Sequence, residues 1–433
     1  MTATLTTGRD HSIDVVRAIA VAGVVGGHWL VTGLVIGGDG GWRQASPLST
    51  MPAFTPISWV LQTLALLFFA GGFGAGRPRP AATGAGRRFA LSTYTHHLPG
   101  RRPTRRPAAP AETDAPAETN TPTETLAATD AARGQAAARR RGVVAKLAVP
   151  VAVLLAGWAV VLVVATAAGV PFGTRRTIAM LVISPLWFLL PYLVLRAATG
   201  PLARAVDRVG PFVLAAPAVG LVVLTDDGLL PAWVAVPAAW SVPWILGIAV
   251  ARRGRASLPA APMIIGGIAA MVFLVLVLDY PAAAVGVPGD GRSNLSPPSL
   301  FAIALGLAQI GIYLLVARLA DRRGRGDRPG RDDRPGRDDR PDRDDRPDRG
   351  SPNGVVRSLN RAALPIYLGH QSVLVATVGV AHLIIGGPVE GLLSAPAGPQ
   401  WIIARIAWLP FLALVLVALI RVAWPATRRT RAA

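Results

Sequence analysis

Apolar residues in this chain gather into runs of about 20, and the charged residues fall almost entirely between the runs. A helix of that length, rising 1.5 Å per residue, crosses the roughly 30 Å hydrocarbon core of a bilayer. Within lipid the backbone must satisfy its own hydrogen bonds, so the pattern predicts helices and not loops. Ten spans are predicted, at about 13–36, 56–76, 143–169, 177–197, 211–225, 231–250, 260–280, 298–318, 359–386 and 401–424. The expected fold is therefore all-α, a polytopic transmembrane helix bundle of about ten helices. The first run is too long for a secretory signal and has no small-residue cleavage site, so it is read as a helix.

An even number of spans puts both termini on one side, and the basic residues choose which. With a cytoplasmic N-terminus, 39 of the 44 Lys and Arg fall in inside segments and 5 in outside ones. Setting aside the two longest loops still leaves 12 inside against the same 5. Both termini are expected in the cytosol, and the chain in the inner (plasma) membrane.

The spans divide the chain into five stretches. Residues 1–76 carry the first two helices and 77–142 a basic insertion rich in Ala, Pro, Thr and Arg. Residues 143–319 hold helices three to eight. A loop over 320–356 repeats a six-residue unit, Arg-Asp-Asp-Arg-Pro followed by Gly or Asp, from Arg331, Arg337 and Arg343, and 357–433 supply the last two helices and a basic tail. Alternating charge with Pro in each unit builds no core, so both insertions are expected to be disordered.

Composition changes the picture in two places. A net charge of +20 suggests nucleic acid, but membrane topology accounts for the excess, and membrane lipid is the expected surrounding partner. The absence of cysteine excludes disulfides, thiolate nucleophiles and Cys-held zinc. His96 and His97, within the basic insertion, lack further ligands at metal spacing, so no metal site is expected.

Ionisable groups at membrane depth are costly and point to function. Arg17 and His28 share the first helix. Eleven residues make about three turns, so the two side chains lie on one face, roughly 16 Å apart along the axis. Asp14 is one turn from Arg17 and can pair with it. A guanidinium at the cytoplasmic lip and an imidazole deeper in suit a long substrate entering from the cytosol; a buried His bonded to a neighbouring helix is the plainer alternative. Gly23 and Gly27 form a small-xxx-small pair and are read as a packing surface. The ninth span brings Tyr367, His370 and Gln371, with His370 placed early enough to be interfacial or buried. Asp279 and Gln309, read as near helix ends, and Asn294, in an outside loop, are assigned structural roles. Glycine-rich phosphate loops, a serine nucleophile elbow and paired intramembrane carboxylates are all missing from the sequence. Proton-coupled transport usually needs such carboxylates, although a transporter or flippase of a lipid-linked or small-molecule substrate would also use an inward-facing Arg and His.

The stretch Ile13-Asp14-Val15-Val16-Arg17-Ala18-Ile19-Ala20, followed by His28, resembles the opening of the acyltransferase 3 family of membrane acyltransferases, whose first helix carries Arg, ten residues and His. Leu67-Phe68-Phe69-Ala70-Gly71-Gly72-Phe73 resembles the end of its second helix, and Leu186-Trp187-Phe188-Leu189 a Trp-Phe-Leu segment in its fourth. Ser293-Asn294-Leu295-Ser296-Pro297-Pro298-Ser299 is similar to a stretch in actinobacterial members, and Ile366-Tyr367-Leu368-Gly369-His370 to a late Tyr-Leu-x-His segment. The family's Arg cluster, closing in Arg-Leu-x-x-Pro, is met by Lys146-Leu147-Ala148-Val149-Pro150, with Arg139, Arg140 and Arg141 upstream.

The resemblance implies an acyltransferase of groups other than aminoacyl groups. Acyl-CoA, commonly acetyl-CoA, would be the donor substrate, and no cofactor is expected to be permanently bound. The acceptor would be a hydroxyl of a glycan, lipid or secondary metabolite. His28 would be the catalytic base, and Arg17, Lys146, Arg140 and Arg141 would hold donor phosphates. Asp14, Tyr367 and His370 are additional candidates.

Overall fold

A computed structural model of the chain describes residues 10–78, 148–326 and 352–423. Lys146, Arg139, Arg140, Arg141, His96 and His97 lie outside these residues, as does most of both low-complexity insertions. Residues 1–78 and 151–433 form one compact unit, and the helices below belong to it, apart from the first three residues of one.

The elements follow the apolar runs. They are α1 (His11–Val31), α2 (Pro47–Thr50), α3 (Thr55–Leu61), α4 (Leu64–Gly76), α5 (Ala148–Ala167), α6 (Phe172–Ile183), α7 (Leu189–Val209), α8 (Pro211–Asp226), α9 (Ala232–Arg253), α10 (Ala260–Leu276), α11 (Leu300–Gly326), α12 (Pro352–Arg361), α13 (Ala363–Ile385) and α14 (Pro399–Ala423). Among the described residues, eight helical stretches are long and apolar enough to cross a membrane, and α8 and α10 are shorter apolar helices. The chain is a multi-pass helix bundle.

Four spans differ from their predicted form, each for a local reason. The first helix stops at Val31, and residues 33–36 form β1 (Gly33–Ile36), antiparallel to β2 (Trp42–Ala45). β-Branched Val35 and Ile36 favour a strand, and the Gly-rich turn at 37–41 closes it with Gly40 at φ 73°. The register pairs Leu34 with Gln44 and Ile36 with Trp42. Asp39 accepts from the Gly41 N–H and faces Arg43, and these two partners, the N–H first, hold its carboxyl below the usual range. The second span breaks at Gln62 and Thr63, between α3 and α4. The fourth runs on to Val209 but is interrupted at 184–188, where Pro185 cannot donate an N–H. The ninth divides at Ala362, ahead of Pro365, into α12 and α13.

The core lies where α4 crosses α9. Phe68 stacks on Trp240 with ring centroids 5.0 Å apart, and Trp244 and Tyr192 close the cluster. The crossing is tight because each helix sets a glycine against the other's backbone. A Cβ on Gly72 would strike the Trp244 carbonyl, and one on Gly247 would strike the Phe69 carbonyl. Gly23 and Gly27 of α1 serve as the packing surface that their spacing suggested, against Thr63 and Leu61. By contrast, only 6% of α5 is buried, so it lies along the outside of the bundle.

Candidate active site

The breaks in the second and fourth spans open onto one cavity. Non-helical backbone at membrane depth is tolerated where it is buried in protein or lines a cavity, and both conditions operate here. At the first break, Gln62 accepts from the Leu64 N–H through Oε1, and Thr63 Oγ1 donates to the Ala20 carbonyl. The carbonyls of Trp59 and Gln62 receive the side-chain amide of Gln309, at 2.9 and 2.8 Å. Gln309 is thus structural, but it works about two and a half turns into α11 and not near a helix end, where it was expected.

The cavity has a volume of about 210 Å³. From α1 it takes Val24, Gly27, His28 and Val31, an i, i+3, i+4, i+7 stripe on one helical face. Ser58 and Leu61 come from α3, Gln62 from the first break, Ser184 and Trp187 from the second, and Tyr367 from α13. Thr32 and Gln44, beside and within the hairpin, and Val285, Gly286 and Ser296 of the 277–299 loop also line it. The hairpin is fixed at its far strand, where Trp42 N donates to Thr174 and Thr177 donates to Trp42 O. The loop is held by Asn294, which donates to the carbonyls of Pro281 and Ala283 and accepts from Ser299, a structural role as expected. Among the described residues, the lining carries hydroxyls and amides but no carboxylate and no Lys or Arg.

His28 is the imidazole that lines this space. Its Nδ1 lies 3.0 Å from the side-chain nitrogen of Gln371, leaving Nε2 as the nitrogen free for the cavity. His370 packs against it with ring centroids 5.1 Å apart, and is fully buried, not interfacial. Its Nδ1 is 2.6 Å from the Tyr367 carbonyl, which makes that nitrogen the donor and leaves Nε2 buried without a partner. Trp29 of α1 donates to the His370 carbonyl at 2.9 Å, tying the two helices together at this level. Tyr367 meets Phe188 at 4.1 Å between ring centroids and presents to the cavity.

Arg17 is not part of the lining. It pairs with Asp14 at 3.7 Å and its guanidinium sits against Gly74 near the end of α4. The Asp14 carbonyl accepts from Asn360 of α12. Arg17 nevertheless lies seven residues before Val24, on the face that reaches the cavity. The structure therefore brings together His28, His370, Tyr367 and, unassigned by sequence, Gln371, Gln62, Ser58 and Ser184, while Arg17 and Asp14 stand apart at one end of α1. The signal for Gln62 and Ser184 was a local interruption of each apolar run: the polar pair Gln62-Thr63 in the second span, and Ser184 followed by the helix-breaking Pro185 in the fourth.

Neither a curated protein nor a solved structure matches the chain significantly. The family model described as an acyltransferase domain, that of the acyltransferase 3 family, matches residues 139–428. Tyr367, His370 and Gln371 fall inside the match, whereas α1, with Arg17 and His28, precedes it. Since one continuous match takes in about two thirds of its length, the chain belongs to the acyltransferase 3 family, whose members are membrane acyltransferases.

Proposed function

We propose that this acyltransferase moves an acyl group, acetyl in the simplest case, from acyl-CoA to a hydroxyl of a glycan, lipid or secondary metabolite at the plasma membrane. The observation that carries the reading is His28: an imidazole on the wall of an interior cavity, with one nitrogen held by the protein and the other free. His28 Nε2 takes the proton of the acceptor hydroxyl as its oxygen attacks the thioester carbonyl. The tetrahedral intermediate then breaks its C–S bond, and the proton passes from the imidazolium to the departing thiolate. The products are an ester and free CoA. The neutral, hydroxyl- and amide-bearing lining suits an uncharged acceptor.

Arg17 holds the phosphates of the donor at the cytoplasmic end of α1 by charge-assisted hydrogen bonds, with Lys146, Arg140 and Arg141 as further cations. From Arg17 the pantetheine arm has about three turns of α1, roughly 16 Å, to cover before its thioester reaches His28. The arginine asymmetry of the loops supports cytosolic termini and hence a cytosolic donor.

The experiment is label transfer. Purified protein given radiolabelled acetyl-CoA and a hydroxylated glycolipid extract should yield labelled ester. Reconstituted vesicles that accumulate unmodified substrate with no transfer of label would replace this reading with transport.

A further inference from the structure

Gln371 is 1% exposed, and among the described residues its side chain has one hydrogen-bond contact, to His28 Nδ1; its Oε1 is buried without a partner. A buried amide with an unmet group is costly, so a single contact to the one imidazole on the cavity wall calls for a reason. A neutral imidazole carries its proton on one nitrogen, and the hydrogen bond made by that ring nitrogen decides which. If the amide nitrogen donates to Nδ1, the proton sits on Nε2, and His28 offers the cavity a donor. If the amide oxygen accepts from Nδ1–H, Nε2 is left with a lone pair. The two ends of an amide are nearly equal in size, so a half-turn about the last side-chain bond exchanges them in the same space.

We propose that Gln371 is the positioning residue of His28, its amide oxygen turned onto Nδ1 so that the basic nitrogen faces the cavity. The inference rests on the reading of His28 as the base and adds what makes it one. The turn gives Oε1 the Nδ1–H as its partner and carries the amide nitrogen to the place Oε1 leaves, so the side chain keeps one contact in either orientation. The His370 ring on the other side restricts rotation of the imidazole, and the Trp29 and Tyr367 bonds fix His370 in turn. Among the described residues, the other titratable groups near His28 are His370 and Tyr367, and no carboxylate or guanidinium lines the cavity. The tautomer is therefore set by a neutral amide, with no charge to do it.

The test uses Gln371→Leu and Gln371→Glu in the full-length protein, with label transfer measured from pH 5 to 9. Leu fills the space but accepts no hydrogen bond, so kcat should fall by about 10- to 100-fold while KM for acetyl-CoA stays unchanged. Glu is close to the size of Gln and keeps an oxygen on Nδ1, so activity should return. Its charge also favours the imidazolium, so the acid limb of the pH profile should move to higher pH. A Leu variant with wild-type kcat, or a Glu variant whose acid limb does not move, would overturn the proposal. His28→Ala keeps the two readings separate. If that variant is inactive while Gln371→Leu is fully active, the base stands and the positioning role falls; if it is active, both fall.

Discussion

His28 and His370 meet ring to ring, centroids 5.1 Å apart and planes inclined by 56°, yet they differ in access. His28 lines the cavity, whereas His370 is sealed, its Nδ1 engaged by a carbonyl of its own helix and its Nε2 out of reach of any substrate. On the proposed reading the first exchanges a proton with a ligand and the second is the wall it leans on.

Replacing His28 by Ala should lower label transfer by on the order of 10²–10⁴, the usual worth of general-base help, while expression and membrane insertion persist. The side chain stands on the cavity wall, so its removal enlarges an existing space and leaves the helix crossings intact. Label transfer at the wild-type rate would remove His28 from the chemistry.

His370→Phe keeps a ring against His28 and loses the ring nitrogens. If His370 is a wall, kcat should stay within about tenfold of wild type, the remaining loss reflecting the less restrained imidazole and the Nδ1 bond to Tyr367. A fall as large as that of His28→Ala would give His370 a proton to carry, and the two rings would have to be treated as a relay.

Arg17→Ala should act on the donor. The guanidinium is about three turns from the proton transfer, so its loss should raise KM for acetyl-CoA by about 10-fold or more and leave kcat at saturation nearly unchanged. Inhibition by free CoA should weaken in parallel, since the phosphates are common to both molecules. An unchanged KM would leave Arg17 with only its pairing to Asp14.

The sequence made the helices legible because lipid allows few alternatives: a run of the right length must be a helix, and ten runs gave the bundle. It also showed Arg17 and His28 on one face of α1, because eleven residues close on three turns. The breaks at 62–63 and 184–188 were hidden inside apolar runs, where averaging over a window dilutes one or two polar residues. The partnership of His28 with Gln371 was also out of reach, since helical periodicity orders residues within one helix and says nothing of which helix lies opposite. The turn into β1 was marked by Gly33, Gly37, Gly38, Gly40 and Gly41, but the apolar run across Leu34, Val35 and Ile36 masked it.

The glycine crossing of α4 and α9 gives a prediction about stability alone. At Gly247 a methyl group would meet the Phe69 carbonyl and lie 2.7 Å from the Phe73 nitrogen, both backbone atoms that no rotamer change can move. The helices must part, and the Phe68–Trp240 stack that depends on their approach must part with them. Gly247→Ala should cost about 1–3 kcal/mol, the usual penalty for overpacking, seen as a lower midpoint of thermal unfolding in detergent. Gly266→Ala in α10 is the matched control: nothing lies within 4 Å of its added Cβ, so only helix propensity acts and the midpoint should hold or rise. Equal losses from the two substitutions would mean that the cost comes from the helices themselves and that α4 and α9 do not depend on the close crossing.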